Sequence, residues 1–177
     1  MLNEALAELA PVDDAAPDPA RQNRQRPARR KPMRLPGGVL AGSVEAAEFQ
    51  LRLKGALVLV DGYNVAKLGW PTLDLEQQRE QSIMAAENLA KRWNMAMTIV
   101  FDGASVEGAH SSTRRRVRIT YSPAGMSADD LVRAEVAAAD VAKTVVVATN
   151  DRAIITDVAA LGANTVSSDD FLVLLRR

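Results

Sequence analysis

Short apolar runs and stretches of helical periodicity alternate along the last two-thirds of the chain. ALVLVD (56–61), MTIVFD (97–102) and KTVVVAT (143–149) are rich in Val, Ile and Thr and end at polar or turn residues. Continuous runs of this kind predict strands buried on both faces of a parallel sheet. RVRITY (116–121) alternates polar and apolar residues, as a strand nearer an edge would, and NTVS (164–167) is a short final strand. Between them, residues 74–93 place Leu75, Ile83, Met84, Leu89 and Trp93 on approximately one helical face. Residues 127–139 open with Ser127 and Asp130 at capping-box spacing. Residues 151–161 carry Ile154, Ile155, Val158 and Leu161 at helical spacing and stop at Gly162. Asp169 to Arg177 form a last helix whose two terminal arginines suit the negative end of its dipole. Trp93 and the methionines read as core. Strands alternating with helices predict a three-layer α/β/α domain over residues 55–177, with right-handed crossovers and a mostly parallel sheet of about five strands.

The first 54 residues follow another pattern. Six of the eight prolines lie within residues 1–36. Residues 1–20 carry five acids and no Lys or Arg, whereas residues 21–35 (RQNRQRPARRKPMRL) carry seven basic residues and no acid. Such a stretch buries too little apolar surface to offset its ordering entropy. Residues 1–36 are therefore expected to be mostly disordered, apart from a short helix over Leu2–Leu9. Residues 37–54 form a helical lead-in, with Val44, Ala47, Phe49 and Leu51 available for packing. The basic block has two readings that remain open: a solvated tail, or an arm that tethers RNA or the ribosome.

Composition narrows the chemistry. Of 177 residues none is Cys and one is His (His110). Thiolate metal sites, Cys nucleophiles and disulfides are absent, and His-rich zinc chemistry and a Ser-His-Asp triad are disfavoured. His110 is expected in an exposed loop without a role. The start of the chain lacks the basic residues and apolar core of a signal peptide, and no apolar run reaches the ~20 residues of a membrane helix. A cytoplasmic protein is the expectation. The overall balance of 22 basic against 22 acidic residues hides segregation, since residues 55–177 hold 15 acids and 13 bases.

The acids of the domain fall in one place. Ligands of open α/β sheets bind beyond the C-terminal ends of the strands. Asp61 ends the first strand within DGYN, Asp102 ends the second within FDG, SPAGMSADD after the third leads to Asp129 and Asp130, and Asp151 follows the fourth within TND. Four or five carboxylates at one edge repel one another and need a counter-ion. Oxygen-only ligands suit Mg²⁺ or Mn²⁺. Two such ions could activate water at a phosphodiester with no nucleophilic side chain. Each acid alone also has a structural reading: Asp151 or Asn150 as a helix cap, Asp130 as part of a capping box, Asp102 as a turn residue. Phosphate loops of the G-x-x-x-x-G-K-[ST] and G-x-G-x-x-G types are missing. An aspartyl-nucleophile phosphatase would want a second acid where Tyr63 stands.

LVDGYNV (59–65) with Trp70-Pro71, TIVFDG (98–103), SPAGMSADDLV (122–132), VVVATNDR (145–152) and SSDDFL (167–172) together resemble the NYN branch of PIN-like nucleases. Within that branch the chain is most similar to the YacP-like group in its actinobacterial form, over about residues 55–177. The resemblance implies a PIN-like fold, metal-dependent endoribonuclease activity and, from related bacterial proteins, cleavage of mRNA at the ribosome. By residue, it implies Asp61, Asp129 and Asp151 as metal-binding catalytic acids, Asn64 as the motif residue that orients water or phosphate, and Asp102 as a further acid. Where some relatives have Glu four residues beyond the A-D aspartate, this chain has Arg133; Asp130 is the acid available to compensate, and the metal count stays open. RNA contacts are expected from Lys67, Trp70, Arg114, Arg115 and Arg116 around the acidic edge. For Trp70 a core position is the alternative; for the arginines, a solvated loop. Two rival functions remain: a non-catalytic RNA- or ribosome-binding module with a degenerate carboxylate site, which Arg133 favours, and a small-molecule phosphohydrolase.

Overall fold

The computed structural model describes residues 29–105 and 111–177. The expectations for residues 1–28, including the helix over Leu2–Leu9, and for His110 lie outside the described residues. In chain order the elements are α1 (Val44–Leu51), β1 (Leu57–Asp61), α2 (Gly62–Gly69), α3 (Leu75–Trp93), β2 (Met97–Phe101), β3 (Ser112–Arg114) and β4 (Val117–Tyr121). After these come α4 (Ala128–Ala138), β5 (Val145–Ala148), α5 (Arg152–Ala160), β6 (Asn164–Val166) and α6 (Ser168–Arg176).

Among the described residues the sheet has six strands in the order β3-β4-β2-β1-β5-β6. All pairings are parallel except that of β3 with β4. The sixth strand is this short antiparallel β3, absent from the expected five. β1 is central, in register with β2 (Leu59 opposite Thr98) and with β5 (Leu59 opposite Val147). Side-chain alternation then sorts each strand between two cores. Val58, Val60, Ile99, Phe101, Val146 and Ala148 face α1, α2, α3 and α6. Leu59, Val100, Val145 and Val147 face α4 and α5, where Val132, Val136, Ile154 and Val158 meet them. The molecule is thus a three-layer α/β/α sandwich, as its apolar runs imply.

Two expectations about packing need correction. In α3, Leu75 and Met84 are exposed, and the inward face is built from Gln78, Ser82, Ile83, Ala86, Leu89 and Ala90. Small side chains occupy that face because α2 and β4 pack closely against α3. Met126 is exposed as well, so the methionines are not uniformly core.

The end of the Pro-rich leader is held against the domain. Arg30 is 9% exposed. Its guanidinium donates to the carbonyls of Val136 (3.0 Å), Ala139 (2.8 Å) and Leu161 (3.2 Å). Those carbonyls close α4 and α5, whose last C=O groups have no partner within the helix and carry the negative end of the dipole. Met33 adds a backbone donation to Asn164 Oδ1 at 3.0 Å. Gly162 makes room for this strap: its φ is +78°, and a Cβ there would run into the Arg30 carbonyl oxygen. Residues 29–36, expected as part of a disordered tail, include this anchored stretch. The expected lead-in at 37–54 contains α1, which buries Ala46, Ala47 and Leu51.

Candidate active site

Four helices begin at the edge where the parallel strands end. The chain runs outward from β1 through β2 to β4, then crosses over to β5 and β6 on the other side. Such a switch point opens a crevice beyond the strand ends. It lies between β1 and β5, and the acids are there. A cleft of about 500 Å³ is lined by Asp61, Tyr63, Asn64, Lys67, Leu68, Asp129, Asn150 and Asp151.

Asp61 is the last residue of β1 and the N-cap of α2. Its Oδ1 accepts from the Asn64 N–H (3.3 Å) and its Oδ2 from the hydroxyl of Thr149 (2.8 Å). Gly62 follows because the Phe101 ring and the Val100 carbonyl fill the space a Cβ would take. Thr149 is fully buried and also accepts from the Asp151 N–H (3.0 Å), so one hydroxyl bridges the acids of β1 and β5. Asp151 caps α5 through Oδ1, which accepts from Ala153 (2.7 Å) and Ile154 (3.2 Å). Asp129 lies in the first turn of α4, behind the Ser127 cap. The capping role and the site role of Asp61 and Asp151 coexist, because the helix starts and the cleft occupy the same edge.

Asn64 holds these elements together. Its Oδ1 accepts from the Asn150 N–H (3.0 Å) and from the Ser168 hydroxyl (2.6 Å). Asn150 in turn accepts from the Ser168 N–H (2.9 Å) and donates to Asp169 (2.7 Å). The start of α2, the loop after β5 and the start of α6 are tied through two amide side chains.

The charges strain against one another. Burial pushes the Asp61 carboxyl above its usual range; the bonds from Thr149 and Asn64 pull it back, and Asp129 and Asp151 push it further up. Asp129 is also raised, by desolvation first and then by the charge of Asp151, while Arg133 offsets part of this. Among the described residues, no three His, Cys, Asp or Glu side chains are close enough to hold a metal ion by themselves. The donor set fits a hydrated hard cation nonetheless. Mg²⁺ commonly keeps several waters and takes one or two carboxylates plus substrate phosphate, and the acids here are all oxygen donors that repel in its absence.

Not every expected residue joins the cleft. Asp130 does not line it: its carboxylate accepts from the Ser127 hydroxyl (2.8 Å) and pairs with Arg133 (3.1 Å), and its pKa is held low by the Ser127 bond first and by Arg133 after it. Arg133 also pairs with Asp157 at 2.7 Å, so Asp130 is engaged at the helix start and in an ion pair. Asp102 lies beside the site, outside the cleft lining, with Oδ1 accepting from the Ala104 N–H (3.0 Å) and the Ser122 hydroxyl (3.4 Å). Trp70 packs, half-buried, against the main core. Arg114 pairs with Glu80 on α3 at 2.7 Å. Arg115 and Arg116 form the turn between β3 and β4, and because β4 runs parallel to β2 that turn lies at the edge where the parallel strands begin, away from the cleft. Of the expected RNA contacts only Lys67 lines the cleft, with its ammonium 5.6 Å from the centre of the Tyr63 ring.

Three residues of the cleft are not among the site residues expected from the sequence: Tyr63, Leu68 and Asn150. Tyr63 stands on edge against Phe101 and accepts a 3.4 Å bond from Arg79. Its place in DGYN is the available signal. Thr149 has a signal too, directly preceding Asn150-Asp151 at a strand end.

Comparison with known proteins agrees with this geometry. No curated protein sequence matches the chain. Two crystal structures of Rae1 (YacP) from Bacillus subtilis do. One has 26% sequence identity and a TM-score of 0.58, covering 68% of this chain and 73% of that one. The other, of a tryptophan-to-leucine mutant of the same protein, has 20% identity and a TM-score of 0.57 over 68% and 75% of the two chains. Residues 58–177 match the family described as the YacP-like NYN domain. The chain belongs to that family of PIN-like nucleases.

Proposed function

We propose that this protein is a metal-dependent endoribonuclease that hydrolyses RNA phosphodiester bonds in the cleft at the strand ends. The observation that supports it is the meeting of Asp61, Asp129 and Asp151 in one cleft, with the carboxyls of Asp61 and Asp129 raised. Asp61, Asp129 and Asp151 would hold Mg²⁺ or Mn²⁺. A bound ion would supply water activation and charge neutralisation at the scissile phosphate. The chain's own residues do the rest. Lys67 binds a phosphate as a point charge at the open side of the cleft. Tyr63 and Leu68 offer an aromatic and an apolar surface to the adjoining nucleoside. Thr149 and Asn64 position the acids and the surrounding loops. By the resemblance to the YacP-like group, the substrate is mRNA and the place of cleavage the ribosome.

Purified protein is expected to cut single-stranded RNA with Mn²⁺ or Mg²⁺ and to stop in EDTA. Asp61→Asn and Asp151→Asn should each slow cleavage by about 100-fold or more, the loss of roughly 3 kcal/mol of transition-state stabilisation. Variants that cut as fast as the parent refute the assignment. The rival reading, a non-catalytic RNA- or ribosome-binding module, draws on the dispersed carboxylates. Calorimetric titration separates the two, because that reading predicts no Mn²⁺ binding at millimolar concentration.

A further inference from the structure

The sheet has a second charged edge, opposite the carboxylates, where the parallel strands begin. A cleft of about 390 Å³ opens there, floored by Ala56, Leu57 and Met97 and rimmed by Arg115, Arg116, Arg118 and Lys143. All four cations are exposed. Among the described residues, no ion pair engages Arg115, Arg116 or Lys143, and Arg118 reaches only Glu135, at 3.9 Å. The other acid at this edge, Asp140, turns its carboxylate onto the Ala142 N–H at 2.8 Å.

The cations are also held out at a cost. Arg115 has a φ of +55°, a left-handed conformation that glycine adopts freely and that is strained for a residue carrying a Cβ. A turn built only to join two strands would favour Gly or Asn at that position. On the same edge, beneath α4 and α5, the strap brings in Arg29 and Lys31, the described end of the seven-charge basic block of residues 21–35. The chain's charge segregation is therefore spatial: carboxylates at one end of the strands and unpaired cations at the other. Strands of five residues at ~3.3 Å each separate the two edges by ~17 Å before any path around the helices is counted.

We propose that this opposite edge is a second RNA-binding surface, which grips the phosphate backbone of the RNA beyond the segment in the catalytic cleft. The choice of RNA as the polyanion rests on the nuclease reading. A row of unpaired cations gains its affinity from the counterions it displaces, and it reads no sequence. The acidic cleft selects the bond to be cut, and the basic edge retains the strand.

The test is binding without cleavage. Full-length protein in EDTA is titrated against a fluorescent single-stranded RNA of about 30 nucleotides, with anisotropy read at several salt concentrations. Without a counter-ion the acidic edge repels RNA, so the affinity reports the cationic surfaces. The triple variant R115E/R116E/K143E should bind at least about 10-fold more weakly. Its slope of log affinity against log salt should be shallower by about 2, from three contacts at ~0.7 each. Lys67→Glu, at the other edge, should cost less than the triple variant. A triple variant that binds within twofold of the parent, or one that binds more tightly than Lys67→Glu does, overturns the proposal; an unchanged melting temperature confirms that it folds. The two readings fail separately. A parent that binds in EDTA but never cuts with Mn²⁺ refutes the nuclease and leaves this surface. A parent that cuts while the triple variant binds normally refutes the surface and leaves the nuclease.

Discussion

Replacing Arg30 with Met tests whether the strap is structural. Methionine keeps the apolar stem and removes the guanidinium, so the loss is confined to the hydrogen bonds. Three carbonyls, those of Val136, Ala139 and Leu161, accept from Arg30 at 2.8–3.2 Å. A bond from a charged donor contributes ~1.5–3 kcal/mol alone, but three on one head group do not add. Two terms reduce the sum. Arg30 Nε is buried without a partner, at a cost of ~1 kcal/mol or more, and the freed helix-end carbonyls can turn to water. A net loss of about 2–3 kcal/mol remains. For a domain of this size each kcal/mol moves the melting temperature by ~2–4 °C. Arg30→Met should therefore melt about 5–10 °C below the parent by circular dichroism, while Arg29→Met, an exposed neighbour, stays within about 1 °C. If Arg30→Met melts within about 1 °C of the parent, the strap contributes nothing and the leader is only a tether.

Two other outcomes follow from the site. A folded-state pKa above the unfolded value stabilises the fold below the unfolded pKa, and that contribution is lost as pH rises through the folded value. For Asp61, whose carboxyl is raised by burial, the loss begins near the ordinary 3.8 and proceeds as pH rises above it. Asp61→Asn should therefore melt above the parent at pH 7 in EDTA, with the difference shrinking towards pH 3.5; an equal or lower melting temperature at pH 7 contradicts the raised carboxyl. Gly62→Ala puts a Cβ into the Phe101 ring and the Val100 carbonyl, so it should cost about 1–3 kcal/mol and lower Mn²⁺-supported cleavage by displacing Asp61, whereas parental urea stability and activity would show that the contact yields freely.

The legible and illegible parts of the fold divide by the range of the forces involved. β1, β2 and β5 announce themselves because burial on both faces demands unbroken Val and Ile. They lead to Asp61, Asp102 and Asp151, and the loop after β4 leads to Asp129, so the edge with Asp61, Asp129 and Asp151 follows from strand direction. α2 escapes notice because eight residues bounded by Gly62 and Gly69 look like a turn. β3 escapes because its three residues are exposed and form a strand only by pairing with β4. Arg115 and Arg116 directly precede β4, which is parallel to β2, so strand direction alone sets them at the end opposite the acids, against the expectation of RNA contacts at the acidic edge. Asp130 fits a capping pattern and a ligand pattern equally well in the sequence, and only the three-dimensional structure shows it outside the cleft lining, bonded to Ser127 and Arg133. No local pattern marks Arg30, whose acceptors lie 106 to 131 residues further along.

The amide hub at Asn64 also sets when the site exists. Asp61 takes its buried bond from Thr149, 88 residues later, and Asn64 is held by Ser168, 104 residues later. Synthesis runs from the N-terminus, so a growing chain carries Asp61 long before it carries the partners that orient it. The bonds that hold Asp61 and Asn64 in place therefore form only after Thr149 and Ser168 have been made and α6 has packed against α2.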